Sequence, residues 1–398
     1  MNIQYSTRIS NTARYAFAEL SRKVAALKVQ GMHVIDFGVG DPKDKTPDFV
    51  IDSLTPAAHY HAAAGYPSYA GSLAFRRACA RYMHRAFDVV LDPETEITCS
   101  IGSKEAIFHF PFGFIDPGDV VICPTPGYPP YKTGTIFAGG VPYFVPLLPD
   151  NCFLIDFERI PPEVCKASKV IWINYPNSPT GALASRTWME DLIAWAHRHD
   201  IIIAADEGCY IDIYFDEKPR SILEIDTEGI ITFYSLSKRS NMTGYRVGFC
   251  AGDARLIAGL RRVKTNLDSG TPYFIQNAAV AALEDEPHVH QMRQRYRRKR
   301  NLLLEALQEA GLPPCPSKAT FYLWQRAPEG MTGLELTQQL LDLGIVVTPG
   351  TWLADETEQG INPGENYIRF AMVPPVEDVE EATKRLKALS LTPVIRSD

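Results

Sequence analysis

Ile230-Ile231-Thr232-Phe233-Tyr234-Ser235-Leu236-Ser237-Lys238, followed by Asn241-Met242-Thr243-Gly244-Tyr245-Arg246-Val247-Gly248, is the stretch whose reading decides the fold. Its first five residues form a β-prone apolar run that reads as a buried strand. Directly after the run comes a lysine held behind two small hydroxyl residues, Ser235 and Ser237, with an arginine further on. An amine so placed suits condensation with an aldehyde, and a guanidinium beside it suits a phosphate. The pair points to a phosphorylated aldehyde cofactor seated at the end of a strand.

Working outward, Val120-Val121-Ile122-Cys123, Val170-Ile171-Trp172-Ile173, Ile201-Ile202-Ile203-Ala204-Ala205 and Val247-Gly248-Phe249-Cys250 read as further buried strands. Helical patterns at 187–200 and 104–114 fall between them. The alternation predicts an α/β fold with a mainly parallel sheet covered on both faces, and ligand residues at the carboxyl ends of strands. Past residue 285 the texture changes. A long charged helix at 289–310 leads to Pro313-Pro314-Cys315-Pro316, then strands at 321–324 and 367–370 flank a helix at 333–343. This predicts a large domain over 41–284 and a smaller α+β domain over 1–40 and 285–398. The chain shows no internal repeat and no low-complexity linker.

The bulk properties narrow the function classes. A chain of 398 residues suggests about two domains, and 45% apolar with 22% charged residues suits a soluble globular enzyme. A net charge of −7 gives no electrostatic reason for a nucleic-acid or anionic-membrane partner. The eight cysteines contain no C-x-x-C pair, which argues against a zinc knuckle or disulfide framework and for a reducing compartment. With no signal-like N-terminus and no long apolar run, a cytoplasmic location is expected. The histidine pairs 59/61, 197/199 and 288/290 have the wrong spacing for a shared ligand face, so no metal site is expected. Arg293 to Arg300 reads as a solvated helix face.

Pyridoxal 5'-phosphate requires a covalent lysine, a carboxylate facing the pyridine nitrogen, a phosphate cup and an aromatic to stack on its ring. Lys238 supplies the first. Asp206 follows the run 201–205, where an ionised carboxylate would be costly unless paired with a cation such as a protonated ring nitrogen; a helix-cap or loop role is the plain alternative. Gly102, Ser103 and Lys104 open a helix after a strand at 96–100, a good anion site that could also be a simple helix cap. Ser235, Ser237 and Arg246 can supply the remaining phosphate donors.

Together these residues resemble the fold-type I pyridoxal-phosphate enzymes of the aspartate aminotransferase superfamily, over nearly the whole chain. The resemblance implies a large domain built on a mainly parallel seven-stranded sheet. It places Gly40, in Phe37-Gly38-Val39-Gly40-Asp41-Pro42, by the substrate's α-carboxylate, Tyr128 over the cofactor ring, and Arg369 on the substrate carboxylate. Tyr66 matches the tyrosine that reaches the phosphate of a neighbouring subunit. Tyr66 and segment 266–271 therefore imply a homodimer with shared active sites. Two stretches depart from the family pattern. The family's N-P-T-G becomes Asn177-Ser178-Pro179-Thr180-Gly181, leaving Asn177 or Ser178 to meet the cofactor's phenolic oxygen, with Asn177 also a candidate for substrate. The family's D-x-x-Y becomes Asp206-Glu207-Gly208-Cys209-Tyr210, one residue longer, so that a bulge would be needed to aim Tyr210.

The resemblance further implies a ping-pong aminotransferase that moves an amino group between an amino acid and 2-oxoglutarate, with Lys238, Asp206 and Tyr210 as its catalytic residues. Gly102-Ser103-Lys104-Glu105-Ala106, Thr133-Gly134-Thr135 and Asn266-Leu267-Asp268-Ser269-Gly270 are similar to LL-diaminopimelate aminotransferases of lysine biosynthesis. Lys238-Arg239-Ser240-Asn241 and Tyr214-Phe215-Asp216-Glu217 are more similar to N-succinyl-diaminopimelate aminotransferases. Aspartate or alanine aminotransferase, and a lyase or cyclase on the same fold, stay open as alternatives.

Overall fold

The structure, a computed structural model, describes residues 1, 3–10, 22, 24, 25, 27, 29 and 31–389. Its large sheet has seven strands: β1 Ile97–Ser100, β2 Val120–Thr125, β3 Val141–Pro146, β4 Ser168–Ile173, β5 Ile202–Gly208, β6 Ile230–Ser235 and β7 Gly248–Gly252. They lie in the order β1-β7-β6-β5-β4-β2-β3. All neighbours are parallel except β7, which runs against both β6 and β1. The expected mainly parallel seven-stranded α/β sheet is what the chain forms.

Successive residues of each central strand feed opposite apolar layers, which is why these strands read as unbroken hydrophobic runs. Ile122, Ile171 and Ile203 pack with Phe75, Leu192 and Ala279 on one face. Val121, Trp172 and Ala204 pack with Ile107, Tyr131 and Ile257 on the other. The helices that supply these residues, Leu73–Phe87, Arg186–His199 and Tyr273–Glu284 on the first side and Ser103–His109, Pro129–Ala138 and Ala254–Lys264 on the second, hold the sheet rigid. The carboxyl ends of β5 and β6 are therefore fixed side by side.

Two strands differ from expectation. β3 is absent from the sequence reading because Pro142 and Pro146 argue against a strand; it forms an edge of the sheet, where a missing N–H is tolerated. β5 does not stop at Ala205 but continues to Gly208, and Ala205 and Gly208 face Thr232 and Tyr234. Three residues on β5 thus span two on β6, a one-residue bulge.

The smaller α+β unit has an antiparallel sheet of Thr348–Pro349, Tyr367–Ala371 and Tyr322–Arg326, in that order, and a separate parallel pair of Ile35–Asp36 with Ile345–Val346. Helices Pro287–Glu309, Gly333–Asp342 and Val376–Leu386 complete it. Of the expected small-domain segments, residues 2, 11–21, 23, 26, 28, 30 and 390–398 lie outside the described residues. Tyr210, Ile213 and Phe215, placed by the sequence reading in the large domain, pack in the core of the small one with Leu303, Phe321 and Phe370. The Phe215 N–H donates to Lys318 O at 3.1 Å, which ties the segment there.

The basic run on Pro287–Glu309 is engaged with its surroundings. Arg298 pairs with Glu380 at 2.7 Å, Arg300 lies 4.3 Å from the Phe215 ring centre, and Arg293 lies 4.7 Å from that of Tyr214. No helix among the described residues is long and apolar enough to cross a membrane, and no group of three or more metal-type ligands occurs among them.

Candidate active site

The site is assembled at the ends of β5, β6 and β1, under the turn Gly38–Gly40 that follows the strand Ile35–Asp36. Ser235 closes β6 and caps the one-turn helix Leu236–Arg239, its Oγ accepting from the Ser237 N–H at 3.2 Å. This turn presents Lys238, whose Nζ donates to Gly40 O at 2.5 Å and lies 5.7 Å from the Phe321 ring centre. Space at Gly40 is tight: a Cβ at this position would come within 1.9 Å of the Tyr322 hydroxyl, which would have to move.

On the neighbouring strand Asp206 is buried. Its Oδ2 accepts from the Tyr131 hydroxyl at 2.7 Å, while its Oδ1 is buried without a hydrogen-bond partner. Asn174 steadies the same residue by donating from Nδ2 to Asp206 O at 2.5 Å, and its Oδ1 accepts from the Ser178 N–H at 2.8 Å. Burial pushes the Asp206 carboxyl up to about 6, with the Tyr131 hydrogen bond pulling the other way. An orphaned carboxylate oxygen in a dry site is unfavourable unless a cationic donor meets it. A protonated pyridine nitrogen is such a donor.

At the end of β1 the chain turns through Gly102, with φ +71°, into the helix Ser103–His109. That positive φ favours glycine, and a Cβ on Gly102 would also crowd Arg246 Nη2 at 2.5 Å. Arg246 is held by Thr243 O at 2.8 Å and Ile101 O at 3.3 Å. Ser103 and Ser237 are buried, whereas Lys104 is exposed. The helix-start N–H groups, the Ser103 hydroxyl and Arg246 form a cup of the kind that takes a phosphate.

Tyr128 stands at the mouth, its ring edge-on to Tyr131 with centroids 5.9 Å apart. Burial first, then the nearness of Cys209 and Asp206, raises its phenol above the ordinary value. Asn177 turns its Oδ1 to the Thr180 hydroxyl at 2.7 Å and the Thr180 N–H at 3.2 Å. Ser178 is half-buried, and no hydrogen bond engages its hydroxyl among the described residues. Tyr66 is 88% exposed on the single chain and packs against none of these groups.

The bulge sends Cys209 and Tyr210 to different places. Cys209 Sγ lies 3.4 Å from Ser103 Oγ, inside the cup, and burial pushes its thiol up to about 12, followed by the influence of Asp206. Tyr210 donates to the Tyr322 hydroxyl at 3.1 Å, on the small-domain side. Tyr322 in turn lies beneath Arg369, whose guanidinium carbon is 4.4 Å from its ring centre. Arg369 Nη2 donates to Gly38 O at 2.8 Å, and its Nε is buried without a partner. A guanidinium edge left unpaired in this way suits an incoming carboxylate.

Sequence reasoning missed Tyr131, Asn174, Cys209 and Tyr322. Buried aromatics on helices and strands carry a core signal, and nothing in the sequence separates Tyr131 or Tyr322 from such residues. Cys209 was discernible only through the extra residue between Asp206 and Tyr210.

The comparisons agree with this geometry. The family described as Aminotransferase class I and II matches residues 32–386. The LL-diaminopimelate aminotransferase of Aquifex aeolicus is 44% identical over 98% of this chain and 100% of its own. Among solved structures, substrate-bound BacF from Bacillus subtilis superposes with a TM-score of 0.90 at 31% identity, covering 99% of both chains. A probable N-succinyldiaminopimelate aminotransferase from Thermus thermophilus gives 0.87 at 29% identity, covering 94% of this chain and 100% of that one. With matches of this identity and extent, the chain belongs to the class I and II aminotransferases, which are pyridoxal-phosphate-dependent enzymes.

Proposed function

We propose that the protein is an LL-diaminopimelate aminotransferase, passing the amino group to 2-oxoglutarate by a ping-pong cycle in the cytoplasm. One observation carries the amino-acid chemistry. Lys238 and Arg369, from different domains, are both hydrogen-bonded to the turn Gly38–Gly40, at Gly40 O and Gly38 O. An amine-handling group and a carboxylate-binding group are thus held a fixed short span apart, as an α-amino acid needs. The 44% identity to the Aquifex aeolicus enzyme supports the diaminopimelate class over the N-succinyl form, whose compared representative is 29% identical.

When bound, pyridoxal phosphate supplies an aldehyde carbon and an electron-withdrawing ring. Ser103, Ser237, Arg246 and the turn at Gly102 would hold its phosphate, Asp206 its ring nitrogen, and Tyr128 its ring face. Arg369 fixes the substrate carboxylate. Lys238 Nζ, once free, takes the proton from the substrate α-carbon and returns it on the cofactor side. Asp206 keeps the ring nitrogen protonated and so favours the loss of that proton. Ser178, with its free hydroxyl, and Asn177 or Tyr210, each engaged by a neighbour, are the groups available to the phenolic oxygen.

We further infer a homodimer. Tyr60, Tyr66, Leu267 and Phe274 are exposed on the single chain, which supports a partner covering that face. The free state of all eight cysteines agrees with a reducing compartment.

The test is a donor panel with 2-oxoglutarate, read by glutamate formation. LL-diaminopimelate is expected to exceed N-succinyl-diaminopimelate, aspartate and alanine in kcat/KM by at least about tenfold. Preference for aspartate or alanine would overturn the substrate assignment. Sustained turnover without an oxo acid would instead indicate a lyase.

A further inference from the structure

Lys264, the last residue of the helix Ala254–Lys264, is fully buried yet belongs to no part of the site described above. Its Nζ lies 3.1 Å from Glu105 Oε2 and 2.8 Å from Asp268 Oδ2. Burial opposes its charge, but Glu105 and then Asp268 outweigh this and hold its pKa above the ordinary lysine value. A lysine so enclosed by two carboxylates is a fixed charge, and removing it would leave two anions facing one another.

What the cluster holds gives it meaning. Glu105 Oε2 also accepts from the Ile101 N–H at 3.0 Å, while its Oε1 is 3.2 Å from His109 Nδ1. On its carbonyl side Ile101 is held by Arg246 Nη2. The residue before Gly102 is therefore clamped at both its N–H and its carbonyl, and the turn Ile101-Gly102-Ser103 has little freedom. On the far side Asp268 Oδ1 accepts from the Gly270 N–H at 2.6 Å, and Thr271 Oγ1 donates to Ser100 O at 3.2 Å. Gly270 packs so closely that a Cβ there would lie 2.8 Å from Ser68 O, two residues from Tyr66.

We propose that Lys264 is a positioning residue for the cofactor's phosphate, fixing the Ile101–Ser103 turn through Glu105 and joining it through Asp268 to segment 266–271. This rests on the reading of that turn as the phosphate cup. The lysine touches neither cofactor nor substrate. Its role is to keep the donors of the turn in place, so its loss acts on the phosphate and spares the aldehyde.

The full-length protein, freed of cofactor, is titrated with pyridoxal phosphate and with pyridoxal, which lacks the phosphate, and binding is followed by visible absorbance. In Lys264→Met the affinity for pyridoxal phosphate is expected to fall at least about tenfold, the scale of one charge-assisted hydrogen bond. The affinity for pyridoxal should stay within about twofold, and Lys264→Arg should recover part of the loss. Glu105→Gln keeps the side-chain volume and should give the same selective loss, which covers the case in which Lys264→Met does not fold. Equal weakening of both ligands, or no weakening of either, would overturn the proposal. If the unaltered protein held pyridoxal as tightly as pyridoxal phosphate, the phosphate cup itself would be wrong and the role of Lys264 would fall with it.

Discussion

Asp206 is a buried carboxylate that the protein alone only half satisfies, and this makes it thermodynamically visible. A shift from 3.8 to about 6 corresponds to folding stability on the order of 3 kcal/mol. The sign follows from proton binding: the folded state holds this proton more tightly, so stability falls as pH rises from about 4 through about 6 and stays low above. Asp206→Asn should therefore stabilise the cofactor-free protein at pH 8 and leave it nearly unchanged at pH 4, while weakening cofactor binding. Thermal unfolding at both pH values checks this, and equal stability at pH 8 would show that the carboxylate is already paired. At this scale Lys238, Asp206 and Arg246 were legible because each follows or precedes an unbroken apolar run, which fixes where the side chain emerges. Asn177 and Ser178 were not distinguishable in sequence. Their roles depend on a turn in which Thr180 captures one amide oxygen, a local competition that no pattern encodes.

The element that distinguishes this chain is the bulged end of β5. Gly208 faces Tyr234 so closely that a Cβ would lie 1.9 Å from Tyr234 Cα and 2.4 Å from Phe233 O. Both are backbone atoms of β6, which cannot rotate away. Gly208→Ala should cost about 1–3 kcal/mol by forced separation of the strands. Because Asp206 lies within the bulge and Cys209 just beyond it, the visible absorbance of the bound cofactor should also change. Denaturant titration and the absorption spectrum measure the two effects, and an unaltered spectrum would mean that the bulge does not set the site. The bulge was foreseeable from the extra residue before Tyr210, but the length of β5 was not. Asp206-Glu207 reads as the polar end of a strand, yet Glu207 is buried because Tyr234 Oη donates to it at 2.6 Å and the Ile222 N–H at 2.7 Å. Burial pushes its carboxyl up to about 7, with those hydrogen bonds opposing. Polarity marks strand ends only when no partner waits inside.

At the scale of the molecule, the site lies between two cores. Residues 35–40 pass from the small domain's parallel pair to the turn that receives both Lys238 and Arg369, and so form one of the links between the two cores, beside the Phe215–Lys318 bond. The change of texture near 285 is where the sequence reading places the second domain, but the packing of 210–215 with Leu303, Phe321 and Phe370 did not show, since a six-residue stretch is assigned by packing and not by composition. Tyr66 belongs to this scale, because on the single chain it is exposed. If it serves the partner's site, two defective chains should repair one another. In a hybrid of Tyr66→Ala and Lys238→Ala, one site combines an intact Lys238 with an intact Tyr66 from the opposite chain, and the other site carries both defects. Purified hybrid should show about half the unaltered turnover per dimer, with unaltered cofactor affinity at its working site, since non-overlapping sites act additively. The Tyr66→Ala homodimer should instead bind the cofactor more weakly, and the Lys238→Ala homodimer should be inactive. A hybrid whose working site shows the weakened affinity of Tyr66→Ala would place that tyrosine in its own subunit's site and refute the shared arrangement.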